Sequence, residues 1–202
     1  MEIEILPGLE AVRRRPQLYV GELKRKDLFD DLILESLCHA IDEAVDSNCH
    51  TISIQLEPTG AIFVQYDASI SLEIHPKSGK RFADVLLTEI SACHNLKKRI
   101  EIGSEYCQYG LAVLNTLCYE FQVKTVWRGQ CGSQFYAEGK KDKDFVISPS
   151  DSADNTIFRF FFDEQLLGHH EVHLNNLQMK MEKLEQAMGS QLHITCSSGV
   201  PT

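Results

Sequence analysis

Between Asp27 and Asp67 the spacing of apolar side chains changes period, and that change constrains the fold more than any other feature of the chain. Ile33, Leu37, Ala40, Ile41, Ala44 and Val45 recur at helical spacing and predict one helix over 27–46 with a buried stripe. Glu35, Cys38, His39 and Asp42 fall at i, i+3, i+4 and i+7 on the opposite face, where the ordinary reading of Glu35 is a solvated acid. Ile52, Ile54 and Leu56 then alternate, Pro58-Thr59-Gly60 reads as a turn, and Ala61 to Tyr66 alternate again, so 51–67 reads as a hairpin. A one-sided helix followed by one-sided strands must bury the two faces against each other. Downstream, 81–93 and 109–117 read as helices. The segments 120–127, 134–138, 145–148 and 156–162 read as strands. A helix over 172–188 stops at Gly189, and 192–196 is a last strand. A short basic helix over 9–15, ended by Pro16, precedes them all. The expected architecture is α/β in the α+β sense: a two-layer sandwich, with a mixed sheet carrying helices on one face, in a single domain over 1–202.

Hydrophobic residues make up 43% of the chain and charged residues 24%, which supplies a core and excludes a disordered tail, a collagen repeat or a coiled-coil rod. The formal charge of −9 repels phosphate backbones, so no direct non-specific nucleic-acid binding is expected. No apolar run approaches the roughly 18 residues of a membrane span, and Met1 to Gly8 lacks the basic and apolar regions of a signal peptide, so a cytoplasmic protein is expected. The 7 cysteines are scattered without a C-x-x-C pair and read as reduced thiols, with Cys107 the most exposed. Cys38-His39, Cys49-His50 and Cys93-His94 are adjacent pairs. Neighbours on a helix point about 100° apart, so each pair offers one ligand at most, and neither a metal site nor a Cys–His nucleophile pair is expected. Arg13 to Arg15, Lys97 to Arg99, and His169, His170 and His173 read as solvated surface.

Residues 8–21, Gly-Leu-Glu-Ala-Val-Arg-Arg-Arg-Pro-Gln-Leu-Tyr-Val-Gly, resemble the opening GLEAVRxRPxMYIG of the DNA gyrase B and topoisomerase IV ATPase domain. Glu35 to Ala44 resemble that family's E-x-x-D-N-A-x-D-E-A helix, and Ile74-His75-Pro76 match its IHP. Leu111 to Leu117 resemble the helix after its ATP lid, VSVVNAL, and Asn155 to Phe160 its late G-T-x-V-x-F strand. The resemblance runs over nearly the whole chain and implies the GHKL (Bergerat) fold. No transducer or DNA-cleavage domain is expected within 1–202, so strand passage by these residues alone is not.

The resemblance also implies four requirements for ATP chemistry. The general base of the family matches Glu35. The magnesium ligand, an asparagine in the family, is His39 here, and imidazole suits that hard cation poorly; the aspartate before it is Cys38. The adenine-reading D-x-G-x-G has two alignments. Without a gap, Tyr66 takes the aspartate's place, with Ala68 and Ile70 at the glycines. Shifted by one, Asp67 is followed by Ser69 and Ser71. Strand phase favours the first, because Ile62, Val64 and Tyr66 share a face. The phosphate-wrapping lid G-G-x-H-G-x-G aligns with 104–110, where only Gly110 survives and Glu105 adds a negative charge; Asn95 replaces the lysine of G-G-K-F. Thr156 matches the threonine near adenine, and Asp42 lies one turn beyond His39.

One element is kept, one is ambiguous and two are lost. The expectation is a degenerate ATPase domain with a vestigial pocket, no catalytic residue and no cofactor, acting as a protein-binding or regulatory module. Its partner would be itself, a gyrase-type subunit or an unrelated protein. The alternative is a nucleotide-binding ATPase with a rewired magnesium and adenine pocket. Tyr66 and the 104–109 side chains are expected to fill that pocket in part. Any self-association is expected to be independent of ATP and to use another surface such as a sheet edge, and alanine at position 35 is expected to leave function intact.

Overall fold

The computed structural model describes residues 8–90, 106–141 and 143–199. Four helices open the chain: α1 (Gly8–Arg14), α2 (Gln17–Val20), α3 (Leu28–Glu35) and α4 (Cys38–Val45). The hairpin β1 (Thr51–Leu56) and β2 (Ile62–Tyr66) follows, then α5 (Phe82–Thr88) and α6 (Leu111–Leu117). The meander β3 (Cys118–Trp127), β4 (Gln130–Ala137), β5 (Lys140–Lys141), β6 (Val146–Pro149) and β7 (Asn155–Phe162) leads to α7 (Glu164–Leu167), α8 (Leu174–Met188) and β8 (His193–Ser198). The strands form one sheet in the order β5-β4-β3-β7-β2-β1-β8, with β6 pairing β4. β1 and β8 are parallel and the other pairs antiparallel, so the sheet is mixed.

The sheet is buried on one side. Ile52 and Ile54 of β1, Ile62, Val64 and Tyr66 of β2, Phe121 and Val123 of β3, and Phe158, Phe160 and Phe162 of β7 face the helices and join Leu32, Ile33, Leu37 and Ile41 in one core. Alternation places Phe63, Gln122, Phe135, Ile157 and Arg159 on the outer face. No helix among the described residues is long and apolar enough to cross a membrane.

Three expectations change. The helix over 27–46 is broken at Ser36-Leu37, where Ser36 N–H donates to Ile33 O and Leu37 N–H to Leu34 O, a tighter i→i−3 turn, while the Ser36 hydroxyl also donates to Ile33 O. The helix read over 81–93 ends at Thr88, where Glu89 turns extended, and residues 91–105 lie outside the described set. Arg13 is not a solvated cation. Its guanidinium donates to Thr116 O at the end of α6 and pairs with Asp163 and Glu138. Lys97 to Arg99 lie outside the described residues.

Candidate functional site

α3, α4 and the segment before α6 meet at Glu35. Its expected solvated face is not solvated: Glu35, Cys38 and His39 are all buried, Glu35 with 2% exposure. Seven of the eight residues of α3 are buried, all but Asp31, so an acid such as Glu35 must find partners inside. Those partners are backbone amides. Gln108 N–H donates to Glu35 Oε1 at 2.8 Å; Tyr109 and Gly110 N–H donate to Oε2 at 2.9 and 2.8 Å. The Cys38 thiol lies 3.5 Å from Oε2. Gly110 is the N-cap of α6 and has φ of 83°, a left-handed conformation that glycine adopts without strain. The sequence offers no signal for this clasp beyond an acid set in an apolar helix. Ser104 and Glu105 of the aligned lid, and Asn95, lie outside the described residues.

Beside the clasp, His39 Nδ1 lies 3.1 Å from the Tyr66 hydroxyl, and His39 Nε2 is 3.5 Å from Glu43 Oε1. Tyr66 is buried on the helix-facing side of β2, as strand phase requires, and packs edge-on against Phe158. Asp67 lies just past the strand. Its Oδ1 accepts from His50 and Thr51 N–H at 2.8 and 3.0 Å and closes the open end of the β1–β2 pair. Burial alone would raise the Asp67 carboxyl, but the Thr51 and His50 amides outweigh it and hold it below the usual carboxylate range.

Thr156 is fully buried and its hydroxyl donates to Ala68 O at 2.9 Å. Its cross-strand neighbour Thr125, 3.1 Å away, accepts from Ile70 N–H at 2.9 Å. The two threonines thus fix the 68–70 backbone. The resemblance does not point to Thr125, although a polar residue on the inward row after Phe121 and Val123 is a usable sign. A cavity of about 580 Å³ opens between α4, the 67–71 segment and the β3–β4 turn, lined by His39, Glu43, Asp67, Ser69, Trp127 and Arg128 among others. The segment 106–109 does not line it. Asp42 sits on α4, half-buried. His39 and Asp67 therefore share the cavity lining, Tyr66 bonds His39 and pairs across the strands with Thr156, and Glu35 and Gly110 are joined to each other.

The remaining candidates are structural. Among the described residues no group of three or more His, Cys, Asp or Glu side chains is placed to hold a metal ion; Cys93 and His94 lie outside that set. Cys107 is half-buried with φ of 58°, and Cys131 and Cys196 are half-buried too, so it is not the singular exposed thiol expected. Burial pushes the Cys49 thiol up to about 12. His173, the N-cap of α8, donates its N–H to the buried Asp30 at 2.9 Å, a cap supplied from α3.

No protein-family model matches the chain. It is similar to the DNA gyrase B protein of Campylobacter jejuni, 28% identical over 166 residues, which are 81% of this chain and 22% of that protein. The Thermotoga maritima DNA gyrase B protein is 27% identical over 184 residues, 90% of this chain and 29% of the relative. The B-type subunit of DNA topoisomerase 4 from Caulobacter vibrioides is 32% identical over 171 residues, 83% of this chain and 24% of the relative. The chain thus spans less than a third of the length of these relatives, and over that span it is a gyrase-B-like domain.

Proposed function

We propose that this gyrase-B-like domain does not hydrolyse ATP and serves as a protein-binding or regulatory module. The observation that carries the reading is the Glu35 clasp. A general base must reach a water held against a reacting phosphoryl group. Both Glu35 oxygens instead receive backbone amides from 108–110. In the resemblance those amides end the loop that wraps phosphate. A carboxylate fixed upon them places negative charge where a triphosphate would bring more.

Magnesium-ATP does not suit the other residues either. His39 presents imidazole nitrogen, and both of its ring nitrogens face Tyr66 or Glu43. The Asp67 Oδ1 that would read adenine in the shifted register is engaged by His50 and Thr51. Phosphoryl transfer depends on positioning and on charge stabilisation by metal and loop, so a base alone contributes little. The second reading, a rewired nucleotide pocket, is favoured by the cavity of about 580 Å³ beside His39 and Asp67.

Isothermal titration with a non-hydrolysable ATP analogue, with and without magnesium, separates the two. The expected result is no saturable heat, with phosphate release at background in the parent chain and in a folded Glu35→Gln variant. Magnesium-dependent one-to-one binding, or phosphate release that disappears in Glu35→Gln, overturns the proposal. As a module, the chain would meet a gyrase-type subunit, another copy of itself or an unrelated protein. β8 is a poor edge for pairing, because α8 covers it: Glu185 accepts from Ile194 N–H, and Gln178 donates to Cys196 O at 3.1 Å.

A further inference from the structure

The outer face of the sheet holds two cross-strand rows in register. Phe63, Arg159, Gln122 and Phe135 face one another across β2, β7, β3 and β4. Ile157, Lys124, Ser133 and Val146 form the next row, which reaches β6. Strands lie about 4.8 Å apart, so each row runs roughly 14 Å across the sheet. A groove of about 680 Å³ follows them. Its floor is apolar: Phe63 and Ile157 are half-buried, while Phe135 and Val146 are 43% and 66% exposed. An aromatic and aliphatic strip of this kind on a sheet face is costly to leave in water.

Charge sets the groove apart from the rest of the chain. Among the described residues Lys124, Lys143 and Arg159 line it, against one carboxylate, Asp144, which pairs with Lys141. Arg159 is itself held by Glu57 at 2.8 Å. A cationic border on a chain of net charge −9 is a local reversal. It argues against a second copy packed face to face, since an isologous pairing would bring one cationic border up to another. It favours an apolar surface flanked by acids.

We propose that this outer sheet face docks an amphipathic, acidic helix of a partner protein, its apolar stripe on Phe63, Ile157, Phe135 and Val146 and its carboxylates toward Lys124 and Lys143. At 1.5 Å per residue, a row of roughly 14 Å takes about nine residues of helix, between two and three turns. The proposal rests on the reading of the chain as a protein-binding module and names the surface and the partner's chemistry.

The test is amide chemical-shift mapping on the isotopically labelled chain with a stapled synthetic helix that carries leucines at i, i+3, i+4 and i+7 flanked by glutamates. A matched helix with lysines in place of the glutamates is the control. Saturable shifts are expected along β2, β7, β3, β4 and β6. Lys124→Glu with Lys143→Glu should weaken the glutamate helix by about tenfold or more and improve binding of the lysine helix. Phe135→Ser, at an exposed site, should weaken both helices while leaving the fold intact. Shifts confined to other elements, equal affinity of the charge-reversed chain for the glutamate helix, or no saturation at millimolar peptide overturns the docking surface. In each of those cases calorimetry that still finds no nucleotide binding leaves the module reading standing. Nucleotide binding with intact helix binding removes that reading alone.

Discussion

Glu35 and, in the shifted alignment, Asp67 are carboxylates that the family resemblance assigns to nucleotide chemistry, and both accept backbone amides instead. The settings differ. Glu35 is buried and joins α3 to the start of α6 across 73 to 75 residues of chain. Asp67 lies at a half-exposed end of the sheet and bonds residues 16 and 17 positions away on the adjoining strand and the loop before it. A buried acid that ties distant segments is part of the fold, and its loss strands three backbone donors at once. A partly solvated acid that closes a hairpin is replaceable by solvent. Chemistry at either position is therefore read through its surroundings.

Glu35→Ala should produce the largest effect. It leaves the amides of Gln108, Tyr109 and Gly110 without their acceptor, and each buried unsatisfied donor costs about 1–3 kcal/mol. Allowing for partial rescue by water, a loss of about 3 kcal/mol is expected, seen as a lower urea midpoint at unchanged slope. Glu35→Gln keeps one acceptor oxygen and should lose roughly half as much. An alanine variant within about 0.5 kcal/mol of the parent would erase the contrast with Asp67.

The sequence carries the strand alternation because a one-sided sheet imposes it: Ile52, Ile54, Val64 and Tyr66 point inward as their spacing requires. It carries the helical stripe from Ile33 to Ala44 for the same reason, yet not the break at Ser36, which comes from a local hydroxyl–carbonyl bond that periodicity does not register. The burial of Glu35 is hidden because helical spacing sees one stripe, while tertiary contact buries every residue of α3 except Asp31. Arg13 escapes a sequence reading for a related reason. Its partners Thr116, Glu138 and Asp163 lie more than a hundred residues away, and a run of three arginines looks the same whether one of them turns inward or none does. The β4–β5 pairing and the short α7, capped by Asp163, are too brief to leave a periodic trace.

Thr125→Val tests whether the pocket floor depends on the threonine pair. Valine keeps the shape and removes the acceptor for Ile70 N–H, which is buried, so about 1–2 kcal/mol should be lost. Thr156→Val removes the donor to Ala68 O and the hydroxyl contact with Thr125 but strands no backbone N–H, so it should cost less, about 1 kcal/mol. Because the two hydroxyls touch, the double variant should lose less than the sum, with a coupling of roughly 0.5 kcal/mol or more. Additive losses would mean that the threonines hold 68–70 independently.

Asp67→Asn should have the smallest effect and the clearest pH signature. Asparagine keeps an acceptor oxygen for His50 and Thr51 but loses the charge that strengthens those bonds. The side chain is 37% exposed, so solvent screening keeps the loss near 0.5 kcal/mol at neutral pH. The folded-state carboxyl is held below its usual range. A group depressed in this way adds stability above its unfolded pKa, near 4, and that contribution disappears as pH falls through the lower folded value. Parent and variant should therefore differ by a constant amount from about pH 5 to 7 and converge below about pH 4. Urea midpoints of the two chains across that range check it. A gap that widens toward acid would mean that the Asp67 carboxyl is held up rather than down, and that its amide bonds do not hold in solution.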